Sequence, residues 1–107
     1  MTLIRHDVSY TRVDSSHLFP GDTTTEHLAV EVDMDGAKLL VINVYVPPVS
    51  SVPGFNPNMG PLCNITRDVL VMGDFNAHDA RWYSYTQDAG AARRGATICD
   101  ALDTGHL

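Results

Sequence analysis

Two β-rich runs separated by a single Asp-Gly pair constrain this chain more than any other feature. From Glu26 to Met34 the residues alternate, with Leu28, Val30, Val32 and Met34 on one side and His27, Ala29, Glu31 and Asp33 on the other. After Asp35-Gly36 comes Lys38 to Tyr45, dominated by Leu, Val and Ile. Alternation is the period of a strand that buries one face, and Asp-Gly is a favoured pair for a two-residue hairpin turn. The spacing predicts a β-hairpin over residues 26–45. Its second strand is apolar on both faces and is expected to be the more central one. Thr23-Thr-Thr-Glu26 also matches a helix capping box, but the period-2 pattern behind it argues for a strand.

A third strand is predicted over 68–72. The run Val69-Leu-Val-Met72, opened by Asp68 and closed by Gly73, reads as a buried strand with a sharp turn at its end. Asp74, Asn76 and His78 then follow at every second position. In extended backbone they would share a face and converge at a strand end, where α/β sheets place their ligand sites. Upstream, Val46-Pro-Pro48 closes the second hairpin strand, because proline has no N–H for a ladder. Pro53, Pro57 and Gly60-Pro61 break up 49–67, so any helix there is short. His6 to Asp22 reads as a loop or irregular edge ending in the turn signal Phe19-Pro-Gly-Asp22. Thr2 to Ile4 reads as the tail of a strand that begins before the chain does. Ala96, Ile98, Cys99 and Leu102 lie near helical spacing and predict a helix over 91–102, stopped by Gly105.

Composition narrows the function classes. A chain of 107 residues makes one small domain. Its net charge of -6, from 13 acidic and 7 basic residues, excludes a simple electrostatic nucleic-acid binder, which needs clustered Lys and Arg. It leaves room for a metal-dependent enzyme, where a cation reverses the local field. Cys63 and Cys99 stand apart without ligand spacing and are expected to be reduced structural thiols. The N-terminus has no signal-peptide apolar core, and no apolar run is long enough to span a bilayer. A soluble, intracellular protein is expected.

Asn43-Val-Tyr-Val-Pro-Pro48 closing one strand, Gly73-Asp-Phe-Asn-Ala-His78 closing the next, then Trp82 and Arg94-Gly95 before a helix, occur in a specific order. In that order they resemble the endonuclease/exonuclease/phosphatase superfamily. The resemblance is closest to the apurinic-type endonuclease domain of non-LTR retrotransposons, and covers residues 26–107 and, more loosely, 1–25. It implies an α/β fold, part of a four-layered sandwich of two mixed β-sheets flanked by helices. Residues 1–107 would then be a partial domain lacking the N-terminal metal-binding strands and the C-terminal Ser-Asp-His element. The implied activity is metal-dependent phosphodiester hydrolysis by a DNA-nicking endonuclease that uses Mg²⁺ or Mn²⁺. In intact relatives a reverse transcriptase shares the polypeptide, and a functional enzyme would act in the nucleus.

The implied catalytic residues are Asp74, which orients or deprotonates water, Asn76, which hydrogen-bonds the scissile phosphate, and Tyr45, whose hydroxyl lies near a phosphate oxygen. His78 and Arg94 are candidate substrate contacts. No metal ligand is assignable except Asp74; Glu26 opens a strand too late in the order to be the family's metal-binding glutamate. Phosphodiester hydrolysis independently calls for such groups, a carboxylate suited to Mg²⁺ and to water activation beside fixed hydrogen-bond donors. Plainer readings stand beside these. Asp74 and Asn76 also fit an Asx turn that satisfies its own backbone, Tyr45 a strand aromatic, and His78 a loop brace. Trp82 reads as packing under its loop, Asp79 and Asp88 as solvated loop charges, and Arg93-Arg94 as either phosphate contacts at a helix start or solvent-facing cations. Without the metal-binding and base elements, the isolated 107-residue chain is expected to be inactive, and two alternatives to the endonuclease reading remain: a catalytically inactive truncated copy, and a phosphatase or lipid phosphodiesterase of the same superfamily.

Overall fold

The computed structural model describes residues 2–82 and 84–104. The predicted helix stop at Gly105 and the aromatic Tyr83 lie outside them. Four strands, β1 (Ser9–Val13), β2 (Glu26–Met34), β3 (Ala37–Tyr45) and β4 (Val69–Asp74), form one mixed sheet in the order β1-β2-β3-β4. The hairpin forms as predicted: Met34 pairs with Ala37, and Asp35 and Gly36 take φ of 54° and 86°, the positive values a type I′ turn requires. β3, apolar on both sides, is flanked by β2 antiparallel and β4 parallel, and so is central.

Two α-helices, α1 (Gly60–Cys63), a single turn within the proline-rich segment, and α2 (Ala89–Thr104), and two 3₁₀ turns, Ser16–Leu18 and Ala80–Trp82, complete the described elements. Ala91, Arg94, Ile98 and Cys99 are buried along one stripe of α2, at helical spacing. Ile98 joins Leu62 and Cys63 of α1 and Leu18 and Phe19 of the β1–β2 connection over Leu40, Ile42 and Val44 of β3. That is the core, and it lies on one face of the sheet. Cys63 and Cys99 are both buried and free, as the sequence implied.

Several expectations change. The architecture is α/β, but among the described residues it has one sheet rather than the two of a four-layered sandwich. Residues 9–13, expected to be loop or irregular edge, form strand β1, because Ser9 to Val13 find partners in Asp33 to Ala29 across the hairpin. Thr2 to Ile4 form no strand; they lie over the second sheet face in a groove shared with Val30, Val32, Val41, Leu70 and Met72. β4 is not buried on both sides. Val69 and Val71 pack on the core, while Leu70 and Met72 remain 46% and 43% exposed on the opposite face, which no helix among the described residues covers.

Candidate active site at the ends of the central strands

Register places the site. Tyr45, the last residue of β3, is the direct neighbour of Asp74, the last residue of β4, and on the other side of Glu26, the first residue of β2. Directly opposed residues point to the same face, so Glu26, Tyr45 and Asp74 form one row across three strands. They line a cleft of about 450 Å³ with Thr2, His27, Leu28, Asn43 and Val44. Asn43, one row further in, donates through Nδ2 to Thr2 Oγ1 at 2.9 Å and so fixes the N-terminal segment as one wall. Gly73 permits this arrangement, since a Cβ there would collide with the Val44 carbonyl of the adjoining strand. Strand order argues against Glu26 as the family's metal-binding glutamate, yet its place in the row is readable from sequence: the two-residue turn fixes the register, and the hairpin pairing brings Glu26 opposite Tyr45.

Beyond Asp74 the chain leaves the extended conformation. Asn76 has φ of 47°, a left-handed backbone that asparagine tolerates better than most residues. Its N–H donates to Asp74 Oδ1 at 2.9 Å, forming the Asx turn that the plain reading anticipated. The alternating geometry expected for Asp74, Asn76 and His78 therefore does not hold. Asp74 faces the cleft with Tyr45, whereas Asn76 turns toward the end of β3 and donates through Nδ2 to the Val46 carbonyl at 2.7 Å. An amide nitrogen carries two hydrogens, so this bond leaves the second to donate elsewhere.

His78 sits against α2 instead of the cleft. Its backbone N–H donates to the Ala91 carbonyl at 3.2 Å, and its Nδ1 lies 2.8 Å from Ser84 Oγ. Gly95 makes that approach possible, because a Cβ at this position would strike the His78 carbonyl. The Arg94-Gly95 pair thus has a backbone meaning. Arg94 has no exposed surface, and its guanidinium donates to four main-chain carbonyls: Nε to Phe55 at 3.2 Å, and Nη1 to Pro47 at 2.7 Å, Phe75 at 3.3 Å and Asn76 at 3.3 Å. Burial holds its pKa below the usual arginine value, partly opposed by Asp88. A side chain so enclosed meets neither solvent nor a phosphate in this conformation, so the substrate-contact reading of Arg94 gives way to an internal one. Nothing in the local sequence signals this, since the four carbonyls come from segments distant in the chain.

The acidic loop residues are structural. Asp79 is paired with Arg81, which also reaches Asp100 and Asp103 on α2. The Arg81 hydrogen bonds hold the Asp79 carboxyl down at a pKa of about 2. Asp88 caps α2, its Oδ1 accepting the N–H groups of Gly90 at 2.8 Å and Ala91 at 3.2 Å. Trp82 ends a turn of 3₁₀-helix and is 40% exposed. Among the described residues no group of three or more His, Cys, Asp or Glu is placed to hold a metal ion. Mg²⁺ typically takes one or two protein carboxylates and completes its shell with water and substrate phosphate, so Asp74 would be one such carboxylate in an open cation site. No described helix is long and apolar enough to cross a membrane.

Compared with known proteins, residues 39–107 match a family described as endonuclease-reverse transcriptase. The matched region begins in β3 and contains Tyr45, the 73–78 loop and α2. No curated protein and no solved structure matches the chain.

Proposed function

Because the chain belongs to the endonuclease-reverse transcriptase family, we propose that the cleft at the ends of β3 and β4 is the phosphate-side part of a DNA-nicking site. The observation that carries this reading is the pairing of Tyr45 with Asp74 in one row, with Asn76 tied to the segment following Tyr45. In this reading residues 1–107 are part of a larger catalytic domain, and DNA is the substrate.

Phosphodiester hydrolysis needs an aligned water and stabilisation of charge on the non-bridging oxygens. Asp74 accepts a proton from the attacking water and orients it. Asn76 uses its remaining amide hydrogen on a phosphate oxygen, its position set by the bond to Val46. Tyr45 donates its hydroxyl to a second phosphate oxygen from the strand beside Asp74. A divalent cation such as Mg²⁺, to which Asp74 would offer one carboxylate, would supply charge neutralisation when bound.

The test is conversion of supercoiled plasmid to open circle in Mg²⁺, wild type against Asp74→Ala. Where wild type nicks, the variant is expected to lose at least about 100-fold in rate. Equal rates overturn the assignment of Asp74. No nicking by either protein favours a catalytically inactive copy.

A further inference from the structure

We infer that Arg94 is a positioning residue, which sets the geometry of Asp74 and Asn76 through backbone carbonyls without touching substrate. The inference rests on the reading of the cleft as a phosphodiester-hydrolysing site. Its Nη1 stands where the chain segments leaving β3 and β4 meet, reaching Pro47 from one and Phe75 and Asn76 from the other. Those segments directly follow the two proposed catalytic residues, Tyr45 and Asp74. One planar cation therefore fixes the distance between them and joins both to α2.

Two further observations distinguish this from ordinary packing. First, Asn76 holds a left-handed backbone, and such residues persist only where their surroundings over-determine them. Here Asp74 takes its N–H, Val46 its side-chain amide and Arg94 its carbonyl. Second, the guanidinium is fully buried against neutral carbonyls, with no hydrogen-bonded carboxylate, and its Nη2 finds no partner among the described residues. A buried charge without a paired anion is a costly way to gain stability alone. Its rigid fork offers what a lysine ammonium lacks, several donors held in one plane.

The experiment compares wild type, Arg94→Lys and Arg94→Met in plasmid nicking, amide hydrogen exchange and thermal melting. For Arg94→Lys, kcat should fall about 100-fold, as expected when reacting groups shift by about 1 Å, while KM for DNA stays unchanged. In both variants the Asn76 and His78 amides should lose protection about tenfold, while amides of the β3–β4 ladder keep theirs. A raised KM with unchanged kcat would show direct substrate contact and overturn the inference. So would unchanged Asn76 exchange, a uniform loss across the ladder, or failure of both variants to fold, the last two marking a purely structural residue. If wild type does not nick, the exchange measurement still decides the positioning role, independently of the proposed reaction.

Discussion

Gly95 and Asp79 show how much of the site depends on residues that never face it. A Cβ at Gly95 would meet the His78 carbonyl, a backbone group that cannot swing aside as a flexible side chain would. Gly95→Ala should therefore destabilise the chain by about 2–3 kcal/mol, as overpacking of a close contact does, measured by urea denaturation. Asp79 works through charge. Its carboxyl pKa is lowered from 3.8 to about 2 by hydrogen bonds from Arg81, so the folded state favours the ionised form. The resulting stabilisation is complete above the unfolded-state value near 4 and is lost as the pH falls through about 2. Asp79→Asn should melt earlier than wild type at neutral pH, and the gap between the two should close as the pH drops from 4 to 2. A constant gap across that range would refute the pairing as its cause.

At the scale of elements, α2 begins at a capping residue that in sequence reads as a solvated loop charge. Asp88 accepts the N–H groups of the second and third helical residues, as an N-cap does. Asp88→Ala should cost about 1 kcal/mol, and circular dichroism during thermal unfolding would register it as a lower midpoint. The helix itself was legible from Ala96, Ile98, Cys99 and Leu102 because its periodicity is local. The β2–β3 hairpin was legible for the same reason: Asp35-Gly36 carries its turn in two adjacent residues. β1 was not, because Ser9-Tyr-Thr-Arg-Val13 has no clear alternation and becomes a strand only by pairing with 29–33. The cleft falls between these cases. Tyr45 and Asp74 were identifiable from their motifs and the Asx turn of Asp74 and Asn76 was open as their plainer reading, whereas the left-handed backbone of Asn76 is not announced by the motif. The burial of Arg94 was invisible, because it depends on loops after β3, near residue 55 and after β4 arriving at one point.

For the molecule as a whole, charge limits how it can hold DNA. The chain carries 7 basic residues against 13 acidic ones, and most of the basic ones are already engaged. Arg5 pairs with Asp7, Lys38 and Arg67 share Glu31, Arg81 is held by Asp79, Asp100 and Asp103, and Arg94 is buried. Among the described residues only Arg12 and Arg93 are basic side chains that are both exposed and without an ion pair. Each phosphate neutralised by such a cation contributes about 0.9 to the slope of log K against log salt, so two cations give a slope of about −2. A protein that depended on its own electrostatics for DNA affinity would be much steeper. The row of Glu26, Tyr45 and Asp74 adds two carboxylates at the cleft itself, which repel phosphate unless a divalent cation intervenes. Binding to a fluorescent duplex, followed by anisotropy between 50 and 200 mM salt, should therefore be weak, shallow in salt and strengthened by Mg²⁺. Asp74→Asn should bind more tightly than wild type in the absence of Mg²⁺, because it removes one of the repelling charges. A slope steeper than about −4 would mean that the Arg81 or Glu31 ion pairs open to release their cations to DNA, and the charge argument would fail.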